Sequence, residues 1–299
     1  MCQFILENLY IRIINQIDIF SFFNNRNNLK KHMEQLTVVK VGGGIVEAEE
    51  SLKSLLSKFA TIPGHKLLVH GGGRSATKMA EKLGIAQTMI GGRRVTDAET
   101  LQVVTMVYGG LVNKHIVASL QAIGVNALGL TGADMNVIQS HKRPLKKVKM
   151  EDGSVQEVDY GFVGDVDQVN ADLLANLIAQ GVVPVLSPLT HDCKGSMLNT
   201  NADTIASEAA KALSKYFEVK LMYCFEKNGV LLDADNDDSV IASITKSEFP
   251  ELVEKGIVQG GMLPKLENSF AAIDAGVNSV IITKADNIDN PNAGTKLSK

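Results

Sequence analysis

Two stretches, TVVKVGGG (residues 37–44) and KLLVHGGG (residues 66–73), decide the fold. Each is a short apolar run closed by three glycines. Such a run reads as a strand inside a sheet covered on both faces. A glycine triplet behind it reads as a binding loop, because glycine lets backbone approach a ligand and is otherwise entropically costly. Between the two strands, Leu52, Leu55, Leu56 and Phe59 recur at helical spacing, and a second helix is expected to run to about Leu83.

The alternation continues along the chain. A helical pattern from Asp97 to Leu120 precedes the strand VNALGL (125–130), and a polar, turn-rich segment near 142–160 reads as a hairpin. A helix over 168–179, the strand VVPVLS (182–187), a helix over 202–214 and the strand VKLMYC (219–224) follow. The loop DADNDDSV (233–240) reads as a hairpin tip. This order predicts an α/β fold with a mainly parallel central sheet, a three-layer α/β/α sandwich whose ligands bind beyond the carboxyl ends of the strands. Every glycine turn noted above sits at such an end.

With 299 residues and 45% hydrophobic content, the chain has enough apolar material for one large α/β domain or two lobes. A formal net charge of −3, and no basic block with interleaved aromatics, argue against nucleic acid as a partner. The basic cluster Lys142, Arg143, Lys146, Lys147 and Lys149 lies beside Glu151, Asp152, Glu157 and Asp159 and reads as a solvated hairpin surface. Three cysteines without CxxC spacing and six scattered histidines without HExxH support neither a disulfide framework nor a metal site, and they fit a reducing cytoplasm. The run Phe4–Phe23 carries Glu7, Arg12 and Asp18 and lacks a basic leader, so neither a membrane span nor a secretory signal is expected. Residues 1–32 are read either as an extension upstream of a start at Met33 or as an amphipathic helix for oligomer contacts.

HGGG also occurs in the oxyanion loops of esterases, but their nucleophile elbow GxSxG is absent: Gly73-Arg74-Ser75-Ala76-Thr77 ends in threonine. Neither GxxxxGK[ST] nor GxGxxG occurs. What remains is a constellation of Lys40 before Gly42 and Gly43, the turn at Gly72 and Gly73, Arg94 in GGRRVTD, Asn199, Asn201 and Asp203 in MLNTNADTIA, and Lys265 in GGMLPK. Singly, these residues read as snorkelling lysines, a surface charge or helix caps.

Together, the motifs KxGG, HGGG, GxRVT, NxNAD and GGMxxK resemble the amino acid kinase family over about residues 36–297, most closely its N-acetylglutamate kinase branch. The resemblance implies ATP-dependent phosphorylation of the γ-carboxylate of N-acetyl-L-glutamate in arginine biosynthesis. N-succinyl-L-glutamate as acceptor and a non-catalytic metabolite sensor are the alternatives. It implies Lys40 and Lys265 on the transferring phosphoryl group, with Asp203 orienting them. Arg94 and Asn199 are implied on the amino-acid carboxylate, and Gly72 and Gly73 as backbone donors. For the nucleotide it implies Gly42, Gly43, Glu226, Asn228, Gly229, Gly256, Ile257, Val258, Gly260 and Gly261. ATP and Mg2+ are the implied cofactors, the metal held largely by phosphates and water. An acyl-amino-acid lobe over 33–213, an ATP lobe over 214–299, a homodimer or larger oligomer and a cytoplasmic location complete the expectation. One departure stands out: FEKNGV (225–230) replaces the family's Ser/Thr-Asp-Val-x-Gly stretch, keeping Gly229.

Overall fold

A computed structural model of the chain describes residues 33–150, 153–233, 235–259, 262–290 and 292–299. The expected extension over residues 1–32 lies outside the described residues. Strands β1 (Gln35–Val41) and β2 (His65–His70) pair in parallel, with Lys40 opposite Val69. β1 is buried from Leu36 onward, as a strand with helices on both sides must be. Side chains alternate, so Leu36 and Val38 enter one core layer and Val39 and Val41 the other. Lys40 therefore shares the face of Leu36 and Val38.

The other strands, in chain order, are β3 (Met89–Ile90), β4 (Arg93–Arg94), β5 (Ala127–Leu130), β6 (Ile138–Lys142), β7 (Lys146–Lys149), β8 (Val155–Val158) and β9 (Gly164–Val169). They continue with β10 (Val183–Leu186), β11 (Leu189–His191), β12 (Met197–Asn199), β13 (Glu218–Phe225), β14 (Ser243–Thr245), β15 (Ser279–Lys284) and β16 (Thr295–Ser298). The helices are α1 (Gly43–Glu47), α2 (Glu49–Thr61), α3 (Gly73–Lys82), α4 (Ala98–Ala122), α5 (Ala171–Ala179), α6 (Ala202–Leu213), α7 (Phe249–Glu254) and α8 (Met262–Asp274).

Among the described residues, the central sheet has eight strands in the order β14-β16-β15-β13-β1-β2-β10-β5. Only the β15–β16 pairing is antiparallel. The mainly parallel α/β architecture read from the sequence is thus present. From β1 the chain steps to β2 on one side, and from β13 it steps to β15 on the other, so the order reverses between β1 and β13. A crevice forms at such a reversal, because the connections leave to opposite sides.

A second sheet, β12-β11-β6-β9, was not expected. Its strand β9 occupies part of the segment read as the start of a helix at 168. The helix begins at Ala171, because Asn170 caps it by accepting from Leu173 N at 3.2 Å. The hairpin over 142–160 is present as β7 paired with β8.

Helix α4 is long and apolar enough to cross a membrane by length and composition alone. Here Val103, Val104, Val107, Ile116 and Leu120 are at most 1% exposed in the core, which accounts for its apolarity. Its middle turn, Thr105–Val112, is a π-helix, a widened turn that displaces the side chains after it. Truncating the fully buried Ile116 to alanine is expected to cost about 2–5 kcal/mol, read as a lowered urea midpoint. A loss below about 0.5 kcal/mol would contradict this packing.

Candidate active site

Lys40 ends up almost buried, 8% exposed, at the carboxyl end of β1. Its ammonium lies 2.7 Å from Asp203 Oδ1, an ion pair without hydrogen-bond alignment. Asp203 stands in the first turn of α6, where the capping is done by its neighbour. Asn201 Oδ1 accepts from Asp203 N at 2.8 Å and Thr204 N at 3.2 Å, leaving the Asp203 carboxylate for the lysine. From β13, the Tyr223 hydroxyl donates to the Asp203 carbonyl at 3.3 Å. Lys265, on α8, places its ammonium 3.8 Å above the centre of the Phe225 ring, and Lys40 Nζ lies 5.6 Å from the same centre. Burial pushes the Lys265 ammonium below its ordinary pKa; Asp203 opposes the shift and Lys40 adds to it.

The two glycine turns face each other. A Cβ on Gly43 would stand 3.5–3.8 Å from the backbone nitrogens of Gly73, Gly72 and Arg74. Gly71 N donates to Val41 O at 2.9 Å, tying the turns together. Gly73 opens α3, whose first N–H groups have no partner within the helix and so suit an anion. A side chain on Gly72 would strike the Tyr108 ring at 2.7 Å. Beneath the turn, the fully buried His70 receives a hydrogen bond from Asn113 Nδ2 at Nε2 (3.1 Å) and donates from Nδ1 to Gly71 O (2.8 Å). Burial pushes its pKa down to about 4, against the raising effect of the Gly71 bond and with a small further lowering from Lys114.

Two cavities meet at Gly73. The first, about 220 Å3, is lined by Gly71, Gly72, Gly73, Arg94, Tyr108, Arg143 and Asn199 among others. Arg94 sits in β4, held by Gly73 O and Thr77 Oγ1 at 2.9 Å each and by Gln87. Asn199 Nδ2 donates to Thr96 Oγ1 at 2.9 Å. The second cavity, about 500 Å3, is lined by Lys40, Gly42, Gly43, Gly44, Phe225, Glu226, Gly229 and Lys265, and opens at the β1–β13 reversal. Glu226 pairs with Arg74 at 3.2 Å on its exposed rim.

Other residues expected at the nucleotide stand apart from this lining. Asn228 donates to Asp237 O at 3.1 Å and faces the 233–240 loop. Gly256 ends α7 in the left-handed region (φ 70°), Ile257 N returns to Leu252 O, and Val258 is 1% exposed in the core. Gly260 and Gly261 lie outside the described residues.

Tyr108, Phe225 and Arg143 line the cavities without having been expected there. Tyr108 looks like one more core residue in an apolar helix. Phe225 was seen only as a departure. Arg143, read as solvated hairpin surface, is 9% exposed at its side chain because Asp165 on β9 holds it at 2.6 Å. Arg143 also pulls the Asp165 carboxyl below its usual range, against the effect of burial.

The amino acid kinase family profile matches residues 35–284. An acetylglutamate kinase of Parabacteroides distasonis is 66% identical over 265 residues, covering 89% of this chain and 100% of its own. A solved Streptococcus mutans UA159 structure is 27% identical with a TM-score of 0.68, covering 88% of this chain and 98% of its own. Carbamate kinase from Giardia lamblia bound to AMP-PNP, 15% identical, shares the fold with a TM-score of 0.62 over 89% of this chain and 98% of its own.

Two outcomes test this geometry. Gly72→Val is expected to destabilise the fold by about 1–3 kcal/mol through overpacking against Tyr108. Combining it with Tyr108→Leu should recover part of that loss in a double-mutant cycle by chemical denaturation; strict additivity would refute the contact. His70 has its folded pKa below its ordinary 6.5, so the unfolded chain takes up the proton first. Its contribution is complete above about pH 6.5 and lost as pH falls toward 4, a drop of about 3 kcal/mol. His70→Gln should flatten that part of the stability–pH curve relative to wild type.

Proposed function

The chain belongs to the amino acid kinase family, and from that premise we propose that it transfers the γ-phosphoryl group of ATP to the γ-carboxylate of N-acetyl-L-glutamate, in arginine biosynthesis. The observation that carries this reading is the Lys40–Asp203 pair beside Lys265, both lysines lining the larger of two cavities that share Gly73. The high identity to a relative named acetylglutamate kinase supports the acceptor.

In this reading the larger cavity takes ATP and the smaller one the acyl-amino acid, the division expected of lobes 33–213 and 214–299. A carboxylate oxygen forms a bond to the γ-phosphorus while the bond from phosphorus to the β–γ bridging oxygen breaks, and ADP leaves. The acceptor carboxyl, with an ordinary pKa of about 4.3, is already ionised. No general base is needed, and the task is to bring two anions together and hold the charge that spreads over the phosphoryl oxygens. Lys40 and Lys265 supply fixed positive charge, Asp203 orients them, and the N–H groups at Gly72 and Gly73 face the reacting oxygens. Arg94 and Asn199 hold the α-carboxylate. Gly42, Gly43, Glu226 and Gly229 border the nucleotide.

Mg2+ belongs to the same proposal. In this reading the metal is carried largely by phosphates and water. When bound, it neutralises phosphate charge. A homodimer is also proposed, with Met106 and Leu111, exposed on α4, offering apolar surface. N-succinyl-L-glutamate would bring a third carboxylate into the smaller cavity, where Arg143 is already paired with Asp165; the neutral acetyl group is favoured.

The experiment is an ATP-dependent assay in which hydroxylamine traps the acyl phosphate, run with both acyl-glutamates in competition. N-acetyl-L-glutamate is expected to have the higher kcat/KM. Lys40→Ala and Lys265→Ala are each expected to lower kcat by about 10²–10³-fold, as for loss of one preorganised donor. Activity within threefold of wild type would refute their roles, and no hydroxamate from either substrate would refute the kinase reading.

A further inference from the structure

Two lysines, Lys40 and Lys265, line one cavity, in which the Glu226 carboxylate is paired with Arg74 at the rim. Asp203 pairs with Lys40, whereas Lys265 forms no ion pair among the described residues. What lies under its ammonium is the ring of Phe225, 3.8 Å to the centre, with Lys40 reaching the same ring at 5.6 Å. We propose that Phe225 is a positioning residue of the transfer site, its ring face holding the Lys265 ammonium, and more weakly that of Lys40, in line with the incoming phosphates. The proposal rests on the kinase reading above.

The placement follows from the strand. Phe225 is the last residue of β13 and shares the sheet face of Tyr223, which stands opposite Lys40 in the β1–β13 register. The Tyr223 ring stacks on it at 6.2 Å and 17°. Tyr223 is itself fixed by burial at 1% exposure and by its bond to Asp203 O. The Phe225 ring is thus braced from below, with its other side toward the cavity that both lysines line.

An aromatic face differs from a carboxylate in the way this chemistry needs. Its quadrupole attracts a cation weakly, so it localises the ammonium without cancelling its charge. A second carboxylate would neutralise Lys265 and repel the phosphates. The ring also takes up none of the strong hydrogen bonds that the three N–H donors can give to phosphoryl oxygens.

Phe225→Leu keeps apolar bulk and removes the ring face. With wild-type turnover measured first, kcat is expected to fall about tenfold while KM for ATP and for N-acetyl-L-glutamate changes less than threefold. Cation–π contact favours the charged lysine, so its loss lowers the Lys265 pKa. The alkaline limb of the kcat profile should therefore move to lower pH by about half a unit to one unit. Phe225→Trp should restore both. Independently of turnover, the Lys265 side-chain signals, assigned through Lys265→Ala, should be shifted upfield by the ring current in the wild-type NMR spectrum and return to the ordinary position in Phe225→Leu. Unshifted wild-type signals, an unmoved limb in the leucine variant, no rescue by tryptophan, or a raised KM for ATP at unchanged kcat would each overturn the proposal. Absence of turnover in wild type would defeat the kinase reading alone, and the NMR signals would still decide whether the ring holds the lysine.

Discussion

A lysine ammonium at the end of a buried strand has to be matched by a counter-charge, and much of this structure is arranged around meeting that demand for Lys40. Burial of an ion costs several kcal/mol even after relaxation, and pairing it rarely returns a net gain in stability. The Lys40–Asp203 pair is therefore poorly explained as a staple. It is better explained by what it holds in place: β1 against the first turn of α6, with a positive charge kept at the floor of a cavity. Asn201 takes over the capping of α6, and Tyr223 ties the Asp203 backbone to β13. Three elements distant in sequence are thereby fixed around one charged atom.

The backbone donors are supported differently, by uncharged groups. His70 is fully buried and bonded at both ring nitrogens, and Asn113 spends its other amide hydrogen on Val185 O at 3.0 Å. A satisfied buried network of this kind rigidifies what sits on it, here the turn that begins at Gly71. Tyr108 closes the same turn from the side through a ring that leaves no space for a Cβ at Gly72. Two separate constraints act on this turn: a Cβ on Gly71 would stand 3.2 Å from Gly43 N of the opposing turn, and one on Gly72 would strike the aromatic ring, whereas the space around Gly73 is open.

Much of this was legible in the sequence. The strand pattern and its glycine turns gave the parallel core, because long-range register there follows from alternation and burial. Five short motifs pointed to residues that fold to one crevice. The sheet β12-β11-β6-β9 was hidden because its strands are short and partly polar, with β11 and β12 only three residues each. That omission also misplaced Arg143, whose partner Asp165 stands on β9. Nothing local distinguishes a solvated arginine from one paired across a sheet. Phe225 and Lys265 are 40 residues apart, and the contact between them depends on how α8 packs against α6, β15 and β16, which periodicity does not encode.

The topology explains why the charges lie where they do. Because strand order reverses between β1 and β13, the connections there depart to opposite sides and leave the strand ends open. At that point side chains from two adjacent strands, Lys40 and Phe225, face one cavity. The next strand, β2, carries its glycine turn at the edge of this opening, and Gly73 consequently borders both cavities. On the proposed reading, a donor on one side and an acceptor on the other are separated by little more than a backbone. A side chain at Gly73 would project into open space at this boundary, where the N–H groups that open α3 lie on one side and the lysines of β1 and α8 reach in from the other. The division of labour between lysines and glycines is in this sense a consequence of where the sheet changes direction.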